Sequence, residues 1–308
     1  MSKKSNLCYI FFMIDLHTHS TASDGTYTPA ELVKKAADHN IKVLALTDHD
    51  TIDGLREAKK ACDSAGITFI PGTELNIEWP TGEFHLLGLG LKKISPGLKT
   101  ILSDLQEGRD GRNREIIEKM RKAGFDVSLE EIQAANKTKC LGRPHFAAYM
   151  VEKGIVKNRQ MAFDKYLGKH CPWYVDRVGA DLNSAIEAIK CSGGIPVMAH
   201  PLSIYVSWGK IRGVMEELKE RGIVGLEAYH PGARTSECQR LEELARELGF
   251  IVSAGSDYHG EAVRSDRRIG HTCGSYKIDD RFYFDEVKPA ILRSCEEYGI
   301  ADNYDFWN

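Results

Sequence analysis

The feature that most restricts what this 308-residue chain can fold into is an alternation of two sequence patterns. Seven apolar runs, each too short for a helix, read in order as "YIFFMIDL", "IKVLALTDHD", "ITFIPGTELN", "FHLLGLGL", "GIPVMAHP", "IVGLEAYHP" and "FIVSAGSDYH". Their β-branched and aromatic residues and their length predict buried strands. Amphipathic segments lie between most of them. Thr28 is placed to cap a helix, with Pro29 at its first position, Glu31 as capping-box partner, Leu32, Val33, Ala36 and Ala37 on its apolar face, and Asn40 as its stop. "DGLREAKKACDSAG" predicts a second helix ending at Gly66, and further helices are expected over 183–191, 210–221, 236–248 and near 284–298. Strand and helix in turn, with strands apolar on both faces, predict parallel pairing and a (β/α) barrel, an α/β fold.

Residues 97–170 break the rhythm. They carry helical patterns only, as in "LKTILSDLQEGRDGRNREIIEKMRKAGF" and "RPHFAAYMVEKGIV", and no convincing long strand. The expected organisation is a barrel built from 1–96 and 171–308, with a helical insertion over 97–170.

Charge and cysteine content narrow the class of function. The 41 Lys+Arg against 44 Asp+Glu give a formal charge of −3, which argues against a protein that coats polyanions. Positive charge is nevertheless concentrated over 92–170, where 17 basic residues face 10 acidic ones. Part of it, in "RDGRNREIIEKMRK", pairs Arg114 with Glu118 and Glu115 with Lys119 at helical spacing, as on a solvated helix face. Eight cysteines with no CxxC pair suggest free thiols, a reducing compartment and a cytoplasmic protein. The opening "MSKKSNLCYIFFMIDL" has the two lysines and apolar stretch of a short signal peptide but no A-x-A-like site, and cleavage there would destroy the first strand; Met13 is an alternative start. No run approaches the ~20 apolar residues of a membrane span, and no membrane association is expected.

The ends of the runs carry the chemistry. His17 and His19, two apart on a strand, point to the same face and can reach one ion. Alone, such a pair is common by chance. Asp24 follows in a Ser-Asp-Gly loop, His49 ends the second run, Glu74 the third, His85 opens the fourth, and His200, His230, Asp257 and His259 close the last three. In a (β/α) barrel such ends converge on one face, and charged groups buried there must be paired or metal-bound. Imidazoles and carboxylates without thiolate suit Mn²⁺, Fe²⁺ or Zn²⁺. Nine or so candidate ligands oversupply one ion and suit two or three, with Glu74 as the bridging carboxylate. Such clusters hold an activated water and clamp the oxygens of a phosphoryl group. His39, on a predicted helix, and His170 and His271, away from strand ends, read as structural or exposed.

Taken together, "DLHTHSTASDG", "LTDHD", "AHP" and "GSDYHG", with "PGTEL" and "HLLGLG", resemble the PHP (polymerase and histidinol phosphatase) family of metal-dependent phosphoesterases, in order and over nearly the whole chain. The resemblance implies a distorted seven-stranded (β/α)7 barrel and a trinuclear centre, with Mn²⁺ the first choice of metal. Carried over by residue, it implies His17, His19, Glu74 and Asp257 about one ion, Asp24, His49 and His259 about a second, and Glu74, His85 and His200 about a third. It further implies attack on phosphorus by a metal-bridging hydroxide, with Asp257 in the reacting set and a histidine protonating the leaving oxygen, His230 ahead of His200. In the insertion, "LGRPHFA" sets Arg143 and His145 at a helix start suited to an anion. This string resembles the branch that hydrolyses nucleoside 3′,5′-bisphosphates and RNA 5′ ends. The expected function is therefore phosphate release from small anionic phosphomonoesters, most plausibly such bisphosphates or nucleic-acid 5′ ends. A cyclic sugar-phosphate dihydrolase, a histidinol-phosphate phosphatase and a non-catalytic PHP module are the alternatives. The expected partner is a small phosphorylated substrate, a nucleotide or short oligonucleotide included, with no obligate protein partner.

Overall fold

The computed structural model describes residues 12–136, 138 and 140–304. The start of the first apolar run, Cys8, and the question of Met1 or Met13 as initiator fall wholly or partly outside that range. Seven strands form one sheet in chain order: β1 (Met13–Asp15), β2 (Ile41–Leu46), β3 (Thr68–Ile77), β4 (Phe84–Leu89), β5 (Ile195–Met198), β6 (Gly225–Tyr229) and β7 (Ile251–Ala254). Helices α1 (Pro29–Asp38) and α2 (Leu55–Ala65) make the crossovers that keep β1, β2 and β3 parallel. Thr28 caps α1: its Oγ1 accepts from Glu31 N at 3.2 Å, and its own N–H donates to Glu31 Oε2 at 2.9 Å. Asn40 ends that turn with φ 59°.

The all-parallel pairing expected for the strands fails at β4, which is antiparallel to both β3 and β5. Only residues 78–83 join β3 to β4, too few for a crossover helix, so the chain must turn back. β5, β6 and β7 are parallel again. The sheet does not close strand against strand. Instead the segments just beyond β1 and β7 meet: Thr18 bridges Tyr258, His19 N donates to Tyr258 O at 3.0 Å, and Asp257 N donates to His17 O at 3.0 Å. The distortion of the barrel is thus located at the end of the sheet that carries the histidines.

Between β4 and β5 the chain forms α3 (Pro96–Lys122), α4 (Leu129–Asn136), α5 (Arg143–Glu152), the short α6 (Arg159–Ala162) and a π-helical turn over Phe163–Leu167. The first half of α3 packs Leu98, Leu102 and Leu105 into the main core with Leu86, Leu89 and Ile189. Its second half packs Ile116, Ile117 and Met120 into a separate core with Phe146, Met150 and Trp173. Phe146 is fully buried there, and losing such a ring typically costs about 3–5 kcal/mol. One continuous helix therefore belongs to both cores. Helix α7 (Leu182–Lys190) precedes β5, and α8 (Trp208–Arg221), α9 (Thr235–Glu247) and α10 (Lys288–Glu297) follow it, all four burying apolar residues in the main core. Among the described residues no helix is long and apolar enough to cross a membrane.

Candidate metal centre

Every strand contributes to one end of the sheet. His17 and His19 follow β1, held by Thr18 Oγ1 donating to Ala45 O at 2.6 Å and Thr47 N donating to Thr18 O at 2.9 Å. His49 follows β2, Glu74 lies within β3, and His200, His230, Asp257 and His259 follow β5, β6 and β7. His85 sits at the start of β4, and because β4 runs backwards its start lies at the same end. A ligand type that opens its run while the others close theirs is a sequence signal for that reversal. His200 (φ 27°) and Asp257 (φ 50°) adopt backbone angles that L-residues avoid, a strain maintained by the surrounding packing.

Three groups of donor atoms result, each within 4.8 Å of one another: His17, His19, Glu74 and Asp257; His19, Asp24, His49 and His259; and His49, Glu74 and His85. Glu74 Oε2 stands 3.2 Å from His17 Nε2, 3.3 Å from His19 Nε2 and 3.0 Å from His49 Nδ1. Asp24 Oδ1 lies 3.1 Å from His259 Nε2. His200 stands outside the three groups, its Nε2 2.9 Å from Glu74 Oε1. His230 reaches Asp257 Oδ2 at 3.2 Å. Arg143 and His145 lie at the start of α5, not among the donor groups.

The donor set fits divalent cations. His19 Nδ1, Asp24 Oδ1 and Glu74 Oε2 are buried without a hydrogen-bond partner, although Glu74 Oε2 has three ring nitrogens within 3.3 Å. Lone pairs that converge without bonding to each other are arranged as a shared cation requires. The local field has the matching sign. Burial by itself would lower His19, yet the Asp257 and Glu74 carboxylates push it up to about 10. Burial opposes His17 in the same way, and Glu227 and Glu74 raise it well above the usual histidine range. Conversely, burial raises Asp24 but the His259 and His49 rings hold it well below the usual carboxylate range.

A layer of carboxylates that the sequence reading did not single out holds these groups in place. Glu227, in β6, is fully buried; its Oε1 accepts from His17 Nδ1 at 2.9 Å and its Oε2 from His200 N at 2.9 Å. That bond leaves His17 Nε2 free to face the cluster. Asp48 accepts from Ser20 N and Ser20 Oγ, both at 2.7 Å, and from Ser23 Oγ at 2.6 Å, which fixes the loop leading to Asp24. Asp15 accepts from Ser256 Oγ at 2.6 Å and Gly270 N at 2.7 Å, tying β1 to the β7 side. The signal was present in each case: a carboxylate inside an apolar run must be paired once buried. Gly255 is required by close approach, because a Cβ there would lie 2.3 Å from His17 Cβ and 2.6 Å from Glu227 Oε1.

Over the donor groups lies a cleft of about 530 Å³, bordered by His49, His85, His200, His230, Arg264 and Arg267. His230 Nδ1 accepts from Gly232 N at 3.0 Å, so in the neutral ring Nε2 carries the proton and donates to Asp257. The 3.3 Å approach of Arg267 Nη1 to Nε2 is then a contact between two donors, not a bond. Burial holds His230 below its ordinary value, favouring the neutral ring. Arg143 Nη2 donates to Glu83 Oε1 at 3.0 Å and its guanidinium lies 5.5 Å from the Tyr174 ring. His145 Nδ1 accepts from Gly142 N at 2.9 Å, and burial pushes this ring down to about 4. His39 caps α1, His170 is exposed, and His271 bonds to Ile269 O at 3.0 Å; none of the three joins a donor group.

Known proteins resemble this arrangement. A family model described as "PHP domain" matches residues 15–164. A 5′-3′ exoribonuclease of Haemophilus influenzae is 37% identical over 245 residues, 80% of this chain and 89% of that protein. A 3′,5′-nucleoside bisphosphate phosphatase of Chromobacterium violaceum is 33% identical over 284 residues, 92% of this chain and 99% of that one. Among solved structures, an amidohydrolase from Chromobacterium violaceum, with bound sulfate and no metal, superimposes with a TM-score of 0.77 at 33% identity, covering 84% of this chain and 90% of that chain.

Proposed function

Because this chain belongs to the PHP domain family of metal-dependent phosphoesterases and is a hydrolase, we propose that its substrates are nucleoside 3′,5′-bisphosphates or the 5′ ends of RNA, from which it releases phosphate or a nucleotide. The observation that carries the reading is the juxtaposition of eight imidazole and carboxylate side chains in the donor groups, with His200 beside Glu74, and a guanidinium-rich edge lined by Arg109, Arg112 and Arg177, one wall for metal and one for substrate anion. Names borne by the two relatives support the same substrate class.

In this reading His17, His19, Glu74 and Asp257 hold one ion, Asp24, His49 and His259 a second, and Glu74, His85 and His200 a third. Mn²⁺ is the proposed metal, supported by a mixed nitrogen and oxygen donor set without thiolate. Bound ions would activate water and neutralise charge on the phosphoryl oxygens. The chain's own residues do the rest. Glu227 fixes the His17 ring, Arg143 grips a phosphate at the start of α5, and His145 offers it Nε2–H. His230 hydrogen-bonds the leaving oxygen through Nε2–H and hands over that proton when its ring is protonated, and Asp257 aims that ring. A reducing compartment is also proposed, supported by seven free cysteines among the described residues.

The test is a phosphate-release screen of the Mn²⁺-loaded protein on adenosine 3′,5′-bisphosphate, a ribose cyclic phosphate, histidinol phosphate and a 5′-phosphorylated RNA, with nucleotide release also measured for the RNA. Turnover of the bisphosphate or the RNA is expected to exceed that of the others. Turnover of neither one overturns the reading.

A further inference from the structure

The inserted helices reach back to the metal centre at two loops. Arg109 lies on the stretch of α3 between Leu105, in the main core, and Ile116, in the second core. Its guanidinium pairs with Asp50, and its Nη2 donates to His49 O at 3.4 Å and its Nη1 to Cys140 Sγ at 3.4 Å. Asp50 is itself anchored to β3: Asn76 N donates to its Oδ1 at 2.9 Å, and its own N–H donates to Glu74 O at 3.0 Å. Its φ of 55° lies in the left-handed region, so the turn just after His49 is kept in shape by these partners.

A second contact holds the loop of Asp24. Thr138, between α4 and α5, is buried; its Oγ1 lies 3.0 Å from Thr21 O and 3.3 Å from Ser23 O, which share its one proton, and accepts from Cys140 N at 3.1 Å. Gly142, just before α5, runs alongside, where a Cβ would stand 3.7 Å from Asp24 Oδ2. The insertion thus braces both loops whose ligands, Asp24 and His49, form one donor group with His19 and His259. The group of His17, His19, Glu74 and Asp257 is braced from the sheet instead, by Glu227 on the His17 ring and by Asp257 N donating to His17 O at 3.0 Å.

We propose that the insertion completes the position of the second ion: Thr138 and Arg109 are positioning residues that hold the Asp24 and His49 loops at the separation this ion requires. The inference rests on the metal assignment above and adds that the ions differ in what supports them. Asp24 and His49 stand on loops beyond β1 and β2, so the spacing of their donor atoms follows the position of those loops. A metal site holds its ligand distances to within about 0.2 Å, and a loosened brace therefore weakens the second position while the first, built on the sheet, keeps its affinity.

The test is calorimetric titration of Mn²⁺ into the metal-stripped full chain as wild type, T138V, R109K and T138S, with EPR spectra along the titration to tell magnetically coupled Mn²⁺ ions from isolated ones. T138V keeps the shape of the side chain and loses its hydroxyl; R109K keeps the charge and loses the fork that spans Asp50 and His49 O. In both, one class of ion is expected to bind about 10- to 100-fold more weakly, the range for loss of an outer-shell partner, while the remaining class stays within about twofold of wild type. The coupled signal should then appear only at higher Mn²⁺, and T138S, which retains the hydroxyl, should bind as wild type does. Equal weakening of every class, as general destabilisation would give, or unchanged binding in both T138V and R109K overturns the proposal. Should T138V fail to fold, the R109K titration decides alone. A wild type that takes up no Mn²⁺ sinks the metal assignment itself, whereas Mn²⁺ uptake that the variants leave unchanged sinks only the role of the insertion.

Discussion

Glu227→Gln tests the idea that a buried carboxylate sets the affinity of the metal centre. In the native site Oε1 and Oε2 each accept one bond at 2.9 Å, from His17 Nδ1 and His200 N, and the side chain is fully buried. Glutamine has the same shape but only one acceptor atom. With its oxygen toward His17, its NH₂ faces the His200 N–H, and two donors meet where no water can intervene, at a cost of about 1–3 kcal/mol. With the amide reversed, His17 loses the bond that keeps its Nε2 lone pair on the cluster. The negative charge that makes His17 more basic is gone in either orientation. Loss of such a supporting partner typically weakens metal binding by about 10- to 100-fold, or about 1.4–2.7 kcal/mol. The assay is calorimetric titration of Mn²⁺ into metal-stripped wild type and E227Q, with thermal melts of the stripped proteins in parallel. We expect the dissociation constant to rise within that range and the stripped variant to melt lower. A dissociation constant within twofold of wild type would refute the reasoning, whatever the melting temperature.

Three further outcomes follow from the site. His230→Asn should slow esters with poor leaving groups by about 10²- to 10⁴-fold yet spare p-nitrophenyl phosphate, whose leaving oxygen needs no proton; comparable losses on both would remove the acid role. Arg143→Ala, which removes the guanidinium bonded to Glu83, should raise KM for bisphosphates with kcat largely kept, and steady-state kinetics with an unaltered KM would exclude the phosphate grip. Gly255→Ala puts a methyl 2.3 Å from His17 Cβ and should destabilise the fold by about 1–3 kcal/mol, read by denaturant titration; an unchanged midpoint would mean that β7 yields at no cost.

Most elements were legible because their signals are local. Helix α1 follows from Thr28, Pro29 and Glu31, whose capping bonds involve only near neighbours. α7, α8 and α9 lie within two residues of their expected ends. The closing helix was less clear: α10 begins only at Lys288, after a π-helical turn over Phe282–Val287. Other features depend on distant partners. The reversal of β4 follows from a linker too short for a helix, and the reading of parallel strands passed over it. Glu227, Asp48 and Asp15 were not singled out, since their partners lie as far as 255 residues away.

The sequence by itself determined the repeating strand-and-helix order and which imidazoles and carboxylates stand at strand ends, because hydrophobic period and residue type are written locally. Tertiary structure alone decided the distances at which those side chains meet, which carboxylates hold their rings, and that arginines of α3 and of the segment after the inserted helices lie beside them. Such convergence depends on strand direction, on the crossing of chain segments far apart in sequence, and on burial that removes water from charged groups, none of which is a property of any short stretch.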